Sequence, residues 1–239
     1  MKKTIVLLLI AAASVTAFAQ TNFQLHYDFG QGRQHLTSTV EMFKPDAWGN
    51  TFLFVDMDYN GGESNHPSAA YFEIARCLKF WDGPFSAQVE YNGGLFNLPT
   101  QIGTLGLPIN NAFLAGVDYQ WNDESFSKII NLKVLYKNIV GKNPASFQLT
   151  GVWNLHFLNR KLTFSGFADF WREDNTNFTD AQGNGITPTE TKFVFLSEPQ
   201  LWYNVNEHFS AGGELEIATN FGTVNGLKFC PTLALKWNF

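Results

Sequence analysis

The last thirteen residues, Leu227–Phe239, carry an apolar side chain at every second position: Leu227, Phe229, Pro231, Leu233, Leu235, Trp237 and Phe239. Lys228, Cys230, Thr232, Ala234, Lys236 and Asn238 stand between them. Successive side chains of a strand point to opposite faces, so this stretch is a strand with one greasy face and one polar or small face. Soluble strands seldom hold one register that long, whereas about 9–11 residues of tilted strand cross a bilayer as part of a barrel. The question it poses is whether the greasy face meets a core or lipid.

The other end of the chain narrows the answer. Lys2 and Lys3 precede an apolar run over residues 4–16, and Ala17-Phe18-Ala19 fits a small-x-small cleavage site. The run is short for a membrane span, so residues 1–19 read as an export signal and 20–239 as the mature domain. Without Lys2 and Lys3 the chain holds 14 basic and 21 acidic residues, a net charge of −7 that excludes nucleic acid as a partner. Aromatic residues make up 16% of the chain and charged residues only 15%, which suits exported β-structure. Later apolar runs are all interrupted by charges or Gly/Asn clusters, so helices do not hold the mature chain in a membrane.

Strand-like segments recur at about 22–29, 35–44, 50–59, 68–80, 85–96, 111–121, 126–138, 145–157, 161–172, 191–205, 208–218 and 226–239. Alternation is clear at Leu53, Val55, Met57 and Tyr59 against Phe52, Phe54, Asp56 and Asp58. Tight turns follow even-numbered segments, as at Trp81-Asp82-Gly83-Pro84 and Asn122-Asp123-Glu124-Ser125. Longer loops follow odd-numbered ones, at Asn60–Pro67, Asn97–Asn110, Glu173–Glu190 and Asn220–Asn225. A short Gly30–Gln34 turn and a longer 44–50 connection break that parity. Short turns at one end and long loops at the other characterise outer-membrane barrels. The expectation is an all-β fold: one closed antiparallel transmembrane β-barrel of about twelve strands, in contact with outer-membrane lipid.

Three stretches, "DAWGNTFLFVDMDY" (46–59), "NHPSAAYFEIA" (65–75) and "FLSEPQLWYN" (195–204), resemble the nucleoside-specific channel-forming (Tsx-like) outer-membrane porins. The resemblance implies a monomeric twelve-stranded barrel whose narrow polar lumen passes nucleosides, with Asp56, Tyr71, Phe72, Glu73 and Glu198 at the matching positions. Arg76 falls on the face of Phe72 and Ile74, a departure from clean alternation that a bulge could restore, and the pore-facing set after Ala75 stays open.

On the barrel reading the inward acids are Asp56, Asp58, Glu73, Glu90, Asp118, Asp169, Glu198, Glu214 and Glu216. The inward bases are fewer: Lys79, Lys133, Lys137, Lys228 and Lys236. Phe52, Phe54, Tyr71, Phe167, Trp171 and Trp202 share that face. Carboxylates accept hydrogen bonds from hydroxyls or amines, and planar rings stack on aromatics at about 1–3 kcal/mol per base. The same rings equally serve to fill the lumen, and the acids equally pair with lysines as a plug. The expected function is passive diffusion of small polar solutes, nucleosides foremost, without cofactor, metal or catalytic group.

Two other classes stay open: a barrel enzyme acting on lipid, and a structural or adhesion barrel. The first needs a Ser, a His and an orienting group within reach. Of His26, His35, His66, His156 and His208, the external edge offers mainly His35 and His66; neither stands in a nucleophile motif, and His66 in "SNHPS" reads as a turn residue. Cys77 and Cys230 fall four strands apart through the closure, too far to form a disulfide.

Overall fold

The computed structural model describes residues 20–59, 67–142 and 146–239. Residues 1–19, read above as an export signal, and His66 lie outside them. The strands are β1 (Gln20–Asp28), β2 (Leu36–Asp46), β3 (Gly49–Tyr59), β4 (Ala69–Leu78), β5 (Phe85–Thr100), β6 (Gly103–Asn122) and β7 (Lys128–Ile139). They continue as β8 (Phe147–Phe157), β9 (Leu162–Asp180), β10 (Gly185–Ser197), β11 (Gln200–Asn204), β12 (Phe209–Thr219), β13 (Val224–Asn225) and β14 (Leu227–Asn238). From β1 to β10 each strand pairs antiparallel with the next, and β14 pairs with both β1 and β12, so the sheet closes on itself. β10 and β11 form a single stave between β9 and β12, which makes twelve. The short β13 lies beside the end of β9, pairing parallel to it.

The break between β10 and β11 falls at Glu198-Pro199, where proline has no N–H for the ladder. Register is the same on both sides: Ser197 faces Ile217 and Gln200 faces Glu214, as Ser197 faces Ala168 and Gln200 faces Ser165. Glu198 N–H donates to the Phe167 carbonyl at 3.0 Å and Leu215 N–H to the Pro199 carbonyl at 3.0 Å. Gly166 faces the break at φ 144°, and a Cβ there would collide with the Glu198 carbonyl oxygen and stand 2.9 Å from Pro199 Cα.

One rim carries only short connections: residues 47–48, 79–84, 123–127, 158–161 and 205–208. Both described ends of the chain lie there, so we call it the turn end and the other the loop end. Three details differ from the sequence expectation. The 44–50 connection is a two-residue turn at Ala47-Trp48, where Asp46 Oδ1 accepts the Trp48 N–H at 2.8 Å. Asn97–Asn110 is not a loop, because β5 and β6 continue as a hairpin to a turn at Gln101-Ile102. Glu173–Glu190 is likewise mostly hairpin, with its turn at 181–184. Beyond the apolar band both faces of a hairpin meet water, so the alternation fades although the backbone still pairs.

Exposed apolar side chains cover the outer face, among them Leu25, Val89, Phe113, Val117, Leu132, Val134, Leu149, Leu233 and Leu235. At the turn end they give way to exposed Trp48, Phe80, Trp81, Trp121, Phe126, Trp237 and Phe239. A closed ladder inside an apolar sleeve satisfies the backbone without water, as a bilayer demands, and the aromatic girdle suits its interface.

Candidate functional site: the lumen

A cavity of about 2240 Å³ runs inside the barrel and reaches the turn end. Alternation places its lining. On β3 Phe52, Phe54, Asp56 and Asp58 face inward, and on β4 Tyr71, Glu73, Ala75 and Cys77. The β3–β4 and β4–β5 pairings run without a register shift, so no bulge follows Ala75 and the alternation the sequence left open continues through Cys77. Arg76 stays on the outer face close to the turn rim, where it holds Asp46 at 2.6 Å and Thr51 at 3.1 Å. A charged group at that height can reach the interface rather than face hydrocarbon. Phe72 also points outward, against Tyr91 at 6.1 Å between ring centroids.

Glu90 and Asp118 lie on the inner wall of β5 and β6, and Phe167, Asp169 and Trp171 on that of β9. Glu198, Glu214 and Glu216 complete the lining acids on the β10–β12 wall. The acids fall into two groups. In one, Glu198 lies within electrostatic reach of Glu214, Glu216 and Asp56. Thr39 donates to Asp56 at 2.5 Å, Thr37 to Asp58 at 2.6 Å and Gln200 to Glu214 at 2.6 Å. In the other, Glu73 senses Glu90, Asp169, Lys133 and Lys137. Asn131 donates to both oxygens of Asp118 at 3.0 Å, and Gln88 donates to Glu90 at 2.7 Å. Hydrogen-bond donors of this kind make clustered carboxylates tolerable in a confined space.

Aromatic rings stand on two opposed walls. Phe52, Phe54 and Tyr71 form a ladder with centroid separations of 5.9 and 5.8 Å. Across the lumen, six staves away, Trp171 lies under Lys137 Nζ at 4.2 Å and donates Nε1–H to Glu173 at 2.9 Å. Trp171 also closes an apolar patch of Ala112, Leu114, Leu135, Ile139 and Val194 that dries part of the inner wall.

Trp202 is a correction. It faces inward but does not line the cavity, being 0% exposed. Lys236 Nζ covers its ring at 3.9 Å, His26 packs edge-on at 5.9 Å, and its Nε1–H goes to Gln200 at 2.9 Å. Side-chain volume on neighbouring staves fills the space that alternation left open. Lys79, Lys133, Lys137 and Lys236 reach the cavity, whereas Lys228 shares their face without lining it.

Arg33 was not among the sequence candidates. It sits in the turn after β1, its Nε 2.7 Å from Asp28 and its Nη1 2.6 Å from Glu216. The signal available was a lone arginine in "GQGRQ", five residues after an inward-facing acid. The polar ladder of Asn22, Gln24 and His26 on β1 also escaped notice; Gln24 bridges Asn22 at 2.9 Å and His26 at 3.0 Å. His26 further contacts Thr232 at 3.0 Å, His156 contacts Thr163 at 2.9 Å, and His208 stacks on Trp237. Cys77 and Cys230 are buried free thiols, with β1, β2 and β3 between their strands.

Residues 19–239 match the family model described as "Domain of unknown function (DUF5020)", and the chain belongs to that family. No curated protein matches it. Among solved structures it is similar to the NanC porin, at 11% identity over 92% of this chain and 98% of that one, with a TM-score of 0.55. It is also similar to the KdgM porin, at 11% identity over 92% and 99% of the two chains, with a TM-score of 0.50. At such identity the likeness is one of fold.

Proposed function

We propose that this DUF5020 barrel is a non-enzymatic outer-membrane channel for passive diffusion of small polar solutes, acting as a monomer after removal of residues 1–19. One observation carries the reading: a continuous cavity lined by acids, amides and aromatic rings lies inside a closed barrel with an apolar exterior. A polar lumen within a lipid-facing sleeve is how β-barrels pass solutes. The two structures it is similar to are porins, which supports the reading.

Nucleosides are the proposed solutes. The Tsx-like resemblance of residues 46–59, 65–75 and 195–204 supports them, and so does the lining chemistry. A base can stack on Phe54 or Tyr71, while Asp56, Glu73 and Glu198 accept hydrogen bonds from ribose hydroxyls or exocyclic amines. The acids disfavour anions, so the free nucleoside is preferred to its phosphate. The test is conductance of the purified barrel in planar bilayers with a panel of nucleosides, sugars and amino acids. Block by nucleosides alone is the expected result. Conductance indifferent to every nucleoside overturns the solute assignment, and absence of any conductance overturns the channel.

A further inference from the structure

The Phe29–His35 connection is anchored at the loop-end rim of the barrel, with Gly30, Arg33 and His35 turned inward. Phe29 N–H donates to the Pro231 carbonyl at 2.9 Å, and Gly30 N–H to Asp28 Oδ1 at 2.6 Å. A Cβ on Gly30 would stand 2.7 Å from Cys230 Sγ, so the start of the segment packs directly on β14. His35 ties its far end through the Arg33 carbonyl at 2.7 Å and Asp58 at 3.4 Å. The result is a strap that reaches over β14, with Arg33 joined to β1 at Asp28 and to β12 at Glu216.

Arg33 also lines the cavity and lies within electrostatic reach of Asp56, Glu198 and Glu214. The lysines of β7 belong with the other acid group, while Lys236 reaches Glu41 and Glu214 from the turn-end side and stacks on Trp202. The guanidinium is therefore the fixed cation that this group of carboxylates faces at the loop end. Its planar fork holds two carboxylates at once, which a mobile ion in transit does less firmly.

We infer that Arg33 is a built-in counter-ion that sets the charge preference of the lumen, and that the strap exists to hold it there. This rests on the channel reading above. With Arg33 in place, small cations gain little from the acids, and neutral donor-bearing solutes are not outcompeted. Without it, the same carboxylates concentrate cations.

The test measures reversal potentials in a potassium chloride gradient for the wild type, R33Q, E216Q and the double variant R33Q/E216Q. Assembly of each is checked by heat-modifiable gel migration. R33Q should raise the potassium-to-chloride permeability ratio about three- to tenfold, E216Q should lower it, and the double variant should return close to wild type. A strap that merely pins the loop predicts shifts in the same direction for both single variants. That outcome, or no shift in R33Q, overturns the proposal. If R33Q does not assemble, E216Q decides: a lower ratio supports the counter-ion role and an unchanged or higher one overturns it. If the wild type carries no current, the channel reading fails separately, and calcium titrated calorimetrically into the folded barrels reads the same chemistry. R33Q should then bind calcium at least about tenfold more tightly than wild type, and equal affinities overturn the inference.

Discussion

Asp123, in the turn between β6 and β7, is only partly exposed and holds a dense set of donors. It accepts the Ser127 and Lys128 N–H groups at 2.7 and 3.1 Å, and the Ser127 and Ser125 hydroxyls at 2.6 and 3.0 Å. Those bonds, the Ser127 hydroxyl foremost, pull its pKa from the ordinary 3.8 down to about 2. Because the folded value lies below the unfolded one, the contribution to turn stability is complete above about pH 4 and is lost as the pH falls through about 2. An amide in place of the carboxylate loses charge and half the acceptor capacity. D123N should speed amide hydrogen exchange at Ser127 and Lys128 about tenfold at neutral pH, while wild-type exchange there stays slow until strongly acid pH. The comparison is made by exchange mass spectrometry or NMR in detergent.

At the scale of the strand, the Glu198-Pro199 break shows how a barrel tolerates a residue that cannot join the ladder. Pro199 interrupts pairing for two residues without slipping the register, so Leu196, Glu198 and Gln200 keep one parity and Glu198 reaches the cavity. The accommodation depends on Gly166, whose left-handed backbone and missing Cβ let β9 close on the break. G166A introduces both a strained φ and a collision with backbone. The expected cost is about 1–3 kcal/mol, seen as a lower urea midpoint for the loss of heat-modifiable migration. A midpoint equal to wild type would mean that β9 can move away freely.

At the scale of the whole molecule, stability depends on closing the ring. β14 supplies the seam: Trp237 faces Phe23 on β1 and Phe209 on β12, and Phe239 N–H donates to the Thr21 carbonyl at 3.0 Å. An open seam leaves N–H and C=O groups facing hydrocarbon, each costing several kcal/mol. Deleting Trp237–Phe239 removes the turn-end part of both pairings and a piece of the aromatic girdle. We expect this truncated chain to fail assembly in the outer membrane and collect as periplasmic aggregate. Membrane fractionation followed by unheated gel electrophoresis checks this, and normal migration of a folded species would refute it.

Strand alternation is a local rule of the backbone, so the sequence alone determined which faces turn inward at Asp56, Glu73, Glu198 and Glu214, and that the stretch from Leu227 is a strand with one apolar face. Proline and glycine chemistry likewise marked most turns. The lengths of the β5–β6 and β9–β10 hairpins were not legible, because outside an apolar environment pairing continues without any alternating signature. The fate of an inward side chain was not legible either. Trp202 and Tyr71 have the same parity and chemistry, yet Lys236 and His26 bury one while the other borders the cavity. Arg33 finds its second partner, Glu216, 183 positions further along the chain. Those outcomes depend on which staves the closed ring sets side by side and on the volumes that meet there, and only the tertiary structure decides them.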